Sequence, residues 1–296
     1  MLYMFIINGR ADKAFIRPDV EKQLEGLDIQ YKLVTTRGQG EGTRIVNLYC
    51  DLHPEEEVCF VACGGSGTAN EVASGIVGRA NKYMAFMGYG GTNDLLKCFP
   101  GRDFLSIKDI LAGEKIKIDA IKVNESYSIN VINVGMDAMV AYYWEIYNSE
   151  GVKNSMNKAL FRAVLHDRFN RIKVVADGEV LSGRAIMQAT ISNGKVCGGQ
   201  FVSSPNAVLD DGLMELSVFK TMSLPTLLYI LPRYIKGTHL QDKFAMRHIR
   251  FKQVKHVELS SKQLIHLSLD GEDVASPFFD IRILERSVNF ILPPLK

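Results

Sequence analysis

Two glycine-rich turns, each placed directly after a short apolar run, constrain the fold of this chain more than any other feature. Gly64-Gly65-Ser66-Gly67 follows the run Val58–Cys63, and Gly88-Tyr89-Gly90-Gly91 follows Tyr83–Met87. Helical spacing resumes after the first turn, over Ala69–Val77. Strands and helices that alternate at this pace predict β-α-β units and a parallel sheet. Since the carboxyl ends of parallel strands share one edge of a sheet, both turns are expected at the same edge.

The alternation begins at the first residues and gives way to strands near residue 115. Upstream, apolar runs predict strands at Tyr3–Ile7 and Ile29–Thr35, and periodic segments predict helices at about 18–24 and 42–52. Downstream, several runs alternate apolar and polar residues, as half-buried antiparallel strands do. The predicted downstream strands are Lys115–Val123, Tyr127–Val134, Ile172–Ala176, Ala185–Ser192, Leu213–Lys220, Ile249–Leu259 and Leu264–Leu269, with helices at about 138–147, 157–169 and 224–235. Asp177-Gly178 between two of these strands indicates a hairpin turn.

We therefore predict an α/β plus all-β chain with two domains. Residues 1–118 form the βα-alternating domain, and residues 119–296 form the antiparallel β domain, whose last residues could return to the first. The apolar helical stretch 224–235 is compatible with a membrane-surface helix, but its apolar residues run nearly all round, which favours packing against the core.

Charge and cysteine content narrow the partners and the compartment. Lysine and arginine total 35 against 33 acidic residues, and a net charge of +2 predicts no nucleic-acid partner. The five cysteines are odd in number and form no C-x-x-C pair, as expected of free thiols in a reducing compartment. No signal peptide and no run of about 18 apolar residues is present. These features predict a cytoplasmic protein that could still touch a membrane surface.

The first glycine turn has the chemistry of a phosphate site. Glycines let backbone amides approach a ligand closely, and the following helix aims its free N–H groups at the same point. Thr68 could cap that helix, with Glu71 completing a capping box, so a well-capped turn without a ligand is the alternative. At the second turn, Asn93 or Asp94 could likewise cap the short helix Leu95–Cys98. Two such turns on neighbouring βα units favour a phosphate or nucleotide site.

Three groups of carboxylates in or near the second domain are candidates for metal binding or proton transfer. Asp210-Asp211-Gly212 could hold a hard cation, although an ordinary Asp-Gly turn is the commoner explanation. Asp270 and Glu272 could act as a base and its partner, or simply belong to an exposed hairpin. Asp119 lies at the domain junction, where it could face a cleft or be solvated.

A series of short motifs runs in order along nearly the whole chain. They are GGSGTANEV at 64–72, GGTND at 90–94, GMDA at 135–138, ISNGKVCGG at 191–199, SSPNAVLDDGLMEL at 203–216, KGTHL at 236–240 and LDGE at 269–272. In these residues the chain resembles the bacterial lipid kinases of the diacylglycerol kinase catalytic-domain family, which are related to sphingosine and ceramide kinases.

The resemblance implies a lipid kinase that transfers the γ-phosphate of ATP to a hydroxyl of a membrane lipid such as diacylglycerol, with Mg²⁺. It implies an N-terminal nucleotide-binding domain, a C-terminal β-sandwich domain that helps to bind lipid, and a reaction in the cleft. The implied partners are the lipid substrate and the membrane surface, in peripheral contact. Pairing of β-domain edges would also allow a homodimer.

The resemblance also assigns residues. Glu272 matches the family's proton acceptor, with Asp270 beside it. The nucleotide positions are Asn8, Gly9, Thr36, Gly64, Gly65, Ser66, Gly67, Thr68, Asn70, Glu71, Gly91, Thr92 and Asn93. Asp94 and Asp119 match carboxylates that organise catalytic Mg²⁺, and a structural Mg²⁺ would be held by Asp211 with the carbonyls of Val208 and Leu213.

Three departures from the family pattern fall on the nucleotide side. Ser66 stands where the family's G-G-D-G-T loop has aspartate, Gly91 replaces a threonine, and Asn8–Asp12 replaces N-P-x-S-G. Losing a carboxylate near Mg²⁺ removes charge that would position the metal, unless another carboxylate such as Asp12 supplies it. One alternative is therefore a catalytically weakened or silent homologue that binds lipid or nucleotide. A second alternative is a soluble-substrate kinase such as an NAD kinase, but the D-D-G and L-D-G-E motifs argue against it.

Overall fold

A computed structural model describes residues 1–10, 13–183 and 185–296. By its internal contacts the chain divides into two units. The first consists of Met1–Ala120 together with Leu284–Lys296, and the second of Ile121–Ile283. The α/β plus all-β architecture predicted from the sequence is confirmed.

The first unit is built around a parallel sheet. Its strands are β1 (Leu2–Asn8), β2 (Tyr31–Thr36), β3 (Val58–Gly64) and β4 (Lys82–Gly88), in the order β2-β1-β3-β4. Strand β3 is buried along its whole length, which explains why it reads as a continuous apolar run rather than an alternating one. Helices α1 (Ile16–Leu24), α2 (Glu41–Leu52), α3 (Ser66–Ile76) and α4 (Ile107–Leu111) connect or follow these strands.

The core of the first unit follows from helical periodicity. Helix α1 buries Ile16, Val20 and Leu24, spaced four residues apart on one face. These side chains belong to one apolar cluster with residues of β1, β3 and β4, including Phe5, Val61 and Met87. Helix α1 therefore packs against three strands of the parallel sheet.

The second unit is a mostly antiparallel β structure. Its strands and helices are β6 (Ser126–Ser128), β7 (Val131–Gly135), α5 (Met136–Ser149), α6 (Ser155–His166), β8 (Lys173–Ala176), β9 (Glu179–Ser182), β10 (Ile186–Ser192), β11 (Met214–Lys220), α7 (Leu224–Lys236), β12 (Ile249–Val254) and β13 (His256–Leu269). Strand β5 (Glu114–Val123) enters it from the first unit, and β14 (Glu272–Leu292) leaves it. The strand order is β12-β11-β10-β7-β13-β14, with β8 paired to β13 and β9 to β8.

Alternate residues of these strands form the core of the second unit. Leu216 and Val218 of β11, Ala189 and Ile191 of β10, and Leu267 of β13 are all fully or almost fully buried in one cluster. The Asp177-Gly178 turn joins β8 to β9 with positive φ at both residues, as a two-residue hairpin requires. Helix α7 packs inward through Leu227, Ile230 and Tyr234, so the core-packing interpretation of this stretch is confirmed.

The sequence analysis missed β14, a strand of 21 residues. Pro277 and the left-handed Arg286 (φ +48°) interrupt it, and its polar residues are unevenly spaced, so it lacks a clean period of two. Its last part pairs in parallel with β4 through Asn289 and Phe290, inside the first unit. None of the helices in the described part of the chain has the length and hydrophobicity of a transmembrane span.

Candidate active site

The first glycine turn leads directly into α3 and leaves the first amides of the helix open. The helix begins at Ser66, with Gly65 as its N-cap and no side chain accepting a hydrogen bond at that end. Within the described chain, the backbone N–H groups of Ser66, Gly67 and Thr68 have no acceptor. Three converging amides at the positive end of a helix form an anion-binding site.

The predicted capping box of Thr68 and Glu71 is wrong. Because α3 begins at Ser66, Thr68 is the third helical residue and Glu71 the sixth, too far along to reach the N-cap amide. The Thr68 hydroxyl instead accepts a hydrogen bond from Asn8 Nδ2 at 3.1 Å. The Glu71 carboxylate accepts the amides of Gly40 and Gly42, each at 2.7 Å, and so caps α2. Glu71 therefore joins α3 to α2 and holds the first turn in place.

The second glycine turn lies against the first. A Cβ built on Gly90 would stand 2.5 Å from the Cα of Gly65, so only glycine allows the two backbones to approach this closely. Asn93 does not cap the 3₁₀ helix Asp94–Cys98; it bonds back to the turn, donating to the carbonyls of Gly88 (2.7 Å) and Gly90 (3.0 Å) and accepting from the Gly90 amide (3.0 Å). The expected meeting of the two turns at one edge of the sheet is confirmed.

The nucleotide positions that the resemblance assigns include Gly91 but not its neighbour Gly90. A Cβ on Gly91 would meet nothing within 4 Å, and Gly91 and Thr92 are both exposed. Spacing alone cannot tell which glycine of a G-G pair faces another backbone. The contact with Gly65 does so.

Asn8 lies next to the first turn, and Gly9 and Thr36 contact each other at the ends of the neighbouring strands β1 and β2. A Cβ on Gly64 would clash with Thr68 Cβ at 2.8 Å and approach Asn8 Cβ at 3.1 Å. Gly9 packs on the Thr36 backbone, and the buried Thr36 hydroxyl donates to the Ile7 carbonyl at 3.3 Å. Asn70 is also buried, in α3. Ala11 and Asp12 fall outside the described residues, so the predicted role of Asp12 stays a prediction.

Cations that no motif singled out stand near the second turn. Lys13 Nζ donates to the carbonyl of Tyr89 at 3.1 Å, and Lys97 pairs with Asp94 at 2.9 Å. The spacing of three between Asp94 and Lys97 on a helix could have predicted their ion pair. The contact between Lys13 and Tyr89, which lie far apart in the sequence, could not have been predicted.

The Ser66 hydroxyl oxygen is buried and has no hydrogen-bond partner in the described chain.

The predicted metal ligands differ in how well they suit Mg²⁺. Asp94 is buried directly after the second turn, where one carboxylate can hold Mg²⁺ together with substrate phosphates. Asp119 is fully buried and accepts the backbone amide of Arg286 at 2.6 Å, which gives it a structural role at the β14 irregularity. Its assignment to catalytic Mg²⁺ stays a prediction. Among the described residues, no group of three His, Cys, Asp or Glu side chains could hold a metal.

The predicted structural Mg²⁺ site has oxygen donors but a single carboxylate. Asp211 is exposed and its side chain accepts the amide of Leu213 at 3.0 Å, and Val208 is also exposed. Carbonyls and one carboxylate are ligands that a hard cation accepts. The assignment of Val208, Asp211 and Leu213 stays a prediction.

In the second unit, Asp270 anchors the turn that joins β6 to β7. One carboxylate oxygen accepts from the Ser128 hydroxyl and the Ile129 amide, and the other from the Val131 amide, all at 2.9 Å. Burial raises the pKa of Asp270, and these donors partly offset that rise. With its oxygens engaged in this way, Asp270 positions its surroundings and is not placed to take a proton.

Glu272 begins β14 immediately after Asp270-Gly271, a two-residue turn with φ of +49° and +99°. It pairs with Leu269 across the hairpin and therefore shares a strand face with Val274, which packs against the core. Its side chain is half-buried. A carboxylate held at a rigid, Asp270-anchored turn is well suited to act as a base.

A network of buried amides, not foreseen from the sequence, joins the motif 191–199 to the same turn. Asn130 Nδ2 donates to the Val196 carbonyl, and Asn193 Nδ2 donates to the Ile129 carbonyl, each at 3.1 Å. The Asn193 amide also binds the Asn130 carbonyl at 2.8 Å. Two motifs of the resemblance, 191–199 and 269–272, thus meet around the turn that joins β6 to β7.

Asp137, in the motif at 135–138, makes stability depend on pH. Burial raises its pKa from 3.8 to about 7, partly opposed by the hydrogen bond from Gln188. The folded chain keeps this proton to higher pH than the unfolded chain, so the free energy of unfolding should fall as pH rises from about 4 to about 7. We expect Asp137→Asn to flatten this fall by at most ~4 kcal/mol, measured by urea unfolding across that range. Parallel profiles for wild type and variant would refute the assignment.

Comparisons with known proteins agree with this geometry. Residues 3–123 match the diacylglycerol kinase catalytic domain, and residues 130–291 match the YegS C-terminal NAD kinase beta sandwich-like domain. The diacylglycerol kinase of Bacillus subtilis (strain 168) is 24% identical over 251 residues, covering 80% of this chain and 78% of that protein. A Shewanella frigidimarina protein named "Probable lipid kinase YegS-like" is 22% identical over 290 residues, covering 92% of both.

A crystal structure of a diacylglycerol kinase from Bacillus anthracis shares the fold, with a TM-score of 0.71 at 19% identity over 99% of this chain and 97% of the other. The fold and the two matched domains define a kinase. The chain belongs to the family of bacterial diacylglycerol kinases and YegS-like lipid kinases, which confirms the resemblance found in the motifs.

Proposed function

We propose that the chain transfers the γ-phosphate of ATP to a hydroxyl of a membrane lipid such as diacylglycerol. One observation carries the donor half of this proposal. The turns at Gly65 and Gly90 meet backbone to backbone beside the three open amides at the start of α3. Such a cradle of amides suits a polyphosphate and leaves no room there for a larger side chain.

On the donor side, the amides of Ser66, Gly67 and Thr68 bind phosphate oxygens, and Lys13 adds positive charge beside the second turn. Mg²⁺, when bound, offsets the negative charge of the phosphates, and Asp94 is the residue that would hold it. The Ser66 hydroxyl, buried without a partner in the described chain, is free to donate to a phosphate oxygen.

On the acceptor side, Glu272 takes the proton of the lipid hydroxyl as the oxygen of that hydroxyl attacks the γ-phosphorus. The bond from that phosphorus to the bridging oxygen breaks, and ADP leaves with the electron pair. Asp270 holds the turn on which Glu272 stands. The chain works in the cytoplasm in peripheral contact with the membrane that supplies its lipid.

The test is transfer of labelled γ-phosphate from ATP into hydroxyl lipids presented in mixed micelles. Diacylglycerol, phosphatidylglycerol and a sphingoid base are offered separately, with and without Mg²⁺, and NAD is offered as a soluble acceptor. We expect Mg²⁺-dependent label in at least one lipid and none in NAD. Label in NAD alone would replace the proposal with a soluble-substrate kinase, and no label in any acceptor would favour a silent homologue.

A further inference from the structure

The second face of strand β11 is polar and yet buried. The sequence Met214-Glu215-Leu216-Ser217-Val218 alternates apolar and polar residues, as a strand with one solvated face does. Its apolar members belong to the core of the second unit, so Glu215 and Ser217 point the other way. Both are nonetheless closed off from solvent, with 2% and 0% of their surface exposed. A buried carboxylate therefore lies where the alternation predicts a solvated one.

The Glu215 carboxylate has no balancing positive charge. Its Oε1 accepts a hydrogen bond from Gln253 Nε2 at 2.9 Å, and its Oε2 has no partner in the described chain. Burial raises the pKa of Glu215, the Gln253 amide opposes that rise, and the charge of Asp211, which also acts on it, is negative. A carboxylate buried without a cation is costly, because it loses its hydration and gains little in return.

Two further oxygen atoms without partners lie on the same face. Ser192 of β10 stands directly opposite Glu215, and the Cβ atoms of such cross-strand neighbours are about 5 Å apart. The hydroxyl oxygens of Ser192 and Ser217 are fully buried and have no hydrogen-bond partner in the described chain. Buried oxygens that the protein leaves unsatisfied need an explanation, and a hard cation takes ligands of this kind.

The loop that carries Asp211 begins at the same end of the β10–β11 pair. Ser192 and Glu215 are the last residues to pair before this loop, and the segment 193–213 connects the two strands. Because the charge of Asp211 acts on Glu215, the two carboxylates lie within electrostatic reach of each other. Asp211 Oδ1 accepts the Leu213 amide at 3.0 Å, which leaves Oδ2 for a ligand. A cation between the two carboxylates would turn their repulsion into attraction.

We propose that Glu215 supplies the second carboxylate of a cation site at the loop 208–213, where a hard divalent cation such as Mg²⁺ joins the loop to β11. Asp211 alone would leave a divalent ion half neutralised, whereas two carboxylates balance its charge. The Ser192 hydroxyl and the predicted carbonyls of Val208 and Leu213 are neutral oxygen donors for the same ion. The inference does not rest on the proposed function, because this cation binds with neither ATP nor lipid present.

The test is thermal unfolding of the full chain without nucleotide or lipid, in EDTA and in increasing Mg²⁺, with Ca²⁺ in a parallel series. We expect the midpoint to rise by about 5 °C when the ion is about 100-fold above its dissociation constant. Glu215→Gln should weaken binding of the ion about 100-fold in isothermal titration and remove most of the rise. Glu125→Gln takes the same charge from an exposed position and should match wild type. No rise with either ion in wild type would overturn the proposal.

The same variant separates a metal ligand from a residue that only packs. In EDTA, Glu215→Gln should unfold at a higher temperature than wild type, because it removes a buried charge that has no counterion. In saturating Mg²⁺ the order should reverse, because only wild type gains from the ion. A midpoint that Glu215→Gln lowers equally in EDTA and in Mg²⁺ would show a purely structural role and contradict the assignment.

A second set of variants separates this site from the predicted catalytic Mg²⁺. Asp211→Asn should lose the Mg²⁺-dependent rise, and the double variant with Glu215→Gln should lose little more, since both carboxylates hold one ion. Asp94→Asn, in the first unit, should keep the rise. Loss of the rise in Asp94→Asn but not in Glu215→Gln would place the measured ion at the nucleotide turns and reject the inference. A chain that binds the ion through Glu215 yet transfers no phosphate would reject the proposed function and retain the inference.

Discussion

Glu272→Gln is expected to lower the turnover of phosphate transfer by about 100- to 10,000-fold while the chain stays folded. Glutamine keeps the size and the hydrogen-bonding shape of glutamate but cannot take the proton of the attacking hydroxyl, and general-base catalysis contributes a factor of this order. Glu272 begins β14 at the end of a two-residue hairpin. The substitution therefore removes no buried apolar contact, and the midpoint of thermal unfolding should move little.

Glu125→Gln is the matched control, because Glu125 is an exposed glutamate of the same unit. It makes the same change in charge at a position to which no role is assigned. Its turnover should equal that of wild type. Near-normal turnover in Glu272→Gln, with lipid and ATP at saturation, would remove Glu272 from the mechanism.

Gly90→Ala is expected to cost about 100-fold in kcat/KM for ATP. The new methyl group would stand 2.5 Å from the Cα of Gly65 and 2.7 Å from Asn93 Oδ1, and backbone atoms at such distances must move apart. A displacement of about 1 Å in the groups that position a reacting phosphate is enough for a loss of this size. Direct titration with ATP should show a parallel loss of affinity.

The neighbouring Gly91→Ala provides the contrast. Its methyl group would meet nothing within 4 Å, and Gly91 has no positive φ to strain. We expect ATP affinity and kcat/KM close to wild type. Equal effects at the two positions would mean that the meeting of the turns does not shape the nucleotide site.

The parallel half of the fold could be predicted because its signals are local. The buried runs at β1, β3 and β4 are short, apolar and followed by glycine or by helical spacing, and each strand lies within a few residues of its expected place. The start of α3 was misplaced because Thr68-x-x-Glu71 imitates a capping box. The preceding glycines allow the helix to begin at Ser66. The Glu71 carboxylate instead accepts two backbone amides at the N-terminal end of α2.

The remaining features could not be predicted from the sequence because they depend on pairing between residues far apart in the chain. Strand β14 could not be predicted because it pairs with two different strands, β13 in one unit and β4 in the other. The positions of its polar residues therefore show no single period. The anchoring role of Asp270 depends on Ser128, Ile129 and Val131, which lie about 140 residues earlier in the chain. Neither a period nor a motif carries such information.

The most direct test is the rate of γ-phosphate transfer from ATP to diacylglycerol in mixed micelles, for wild type, Ser66→Asp and Glu272→Gln side by side. An active lipid kinase predicts label in the lipid for wild type and its near-complete loss in Glu272→Gln. Ser66→Asp restores the carboxylate of the family's loop and should keep or raise the rate. A silent wild type that becomes active in Ser66→Asp would contradict the proposed function, since the chain would then be a kinase scaffold switched off at its nucleotide loop.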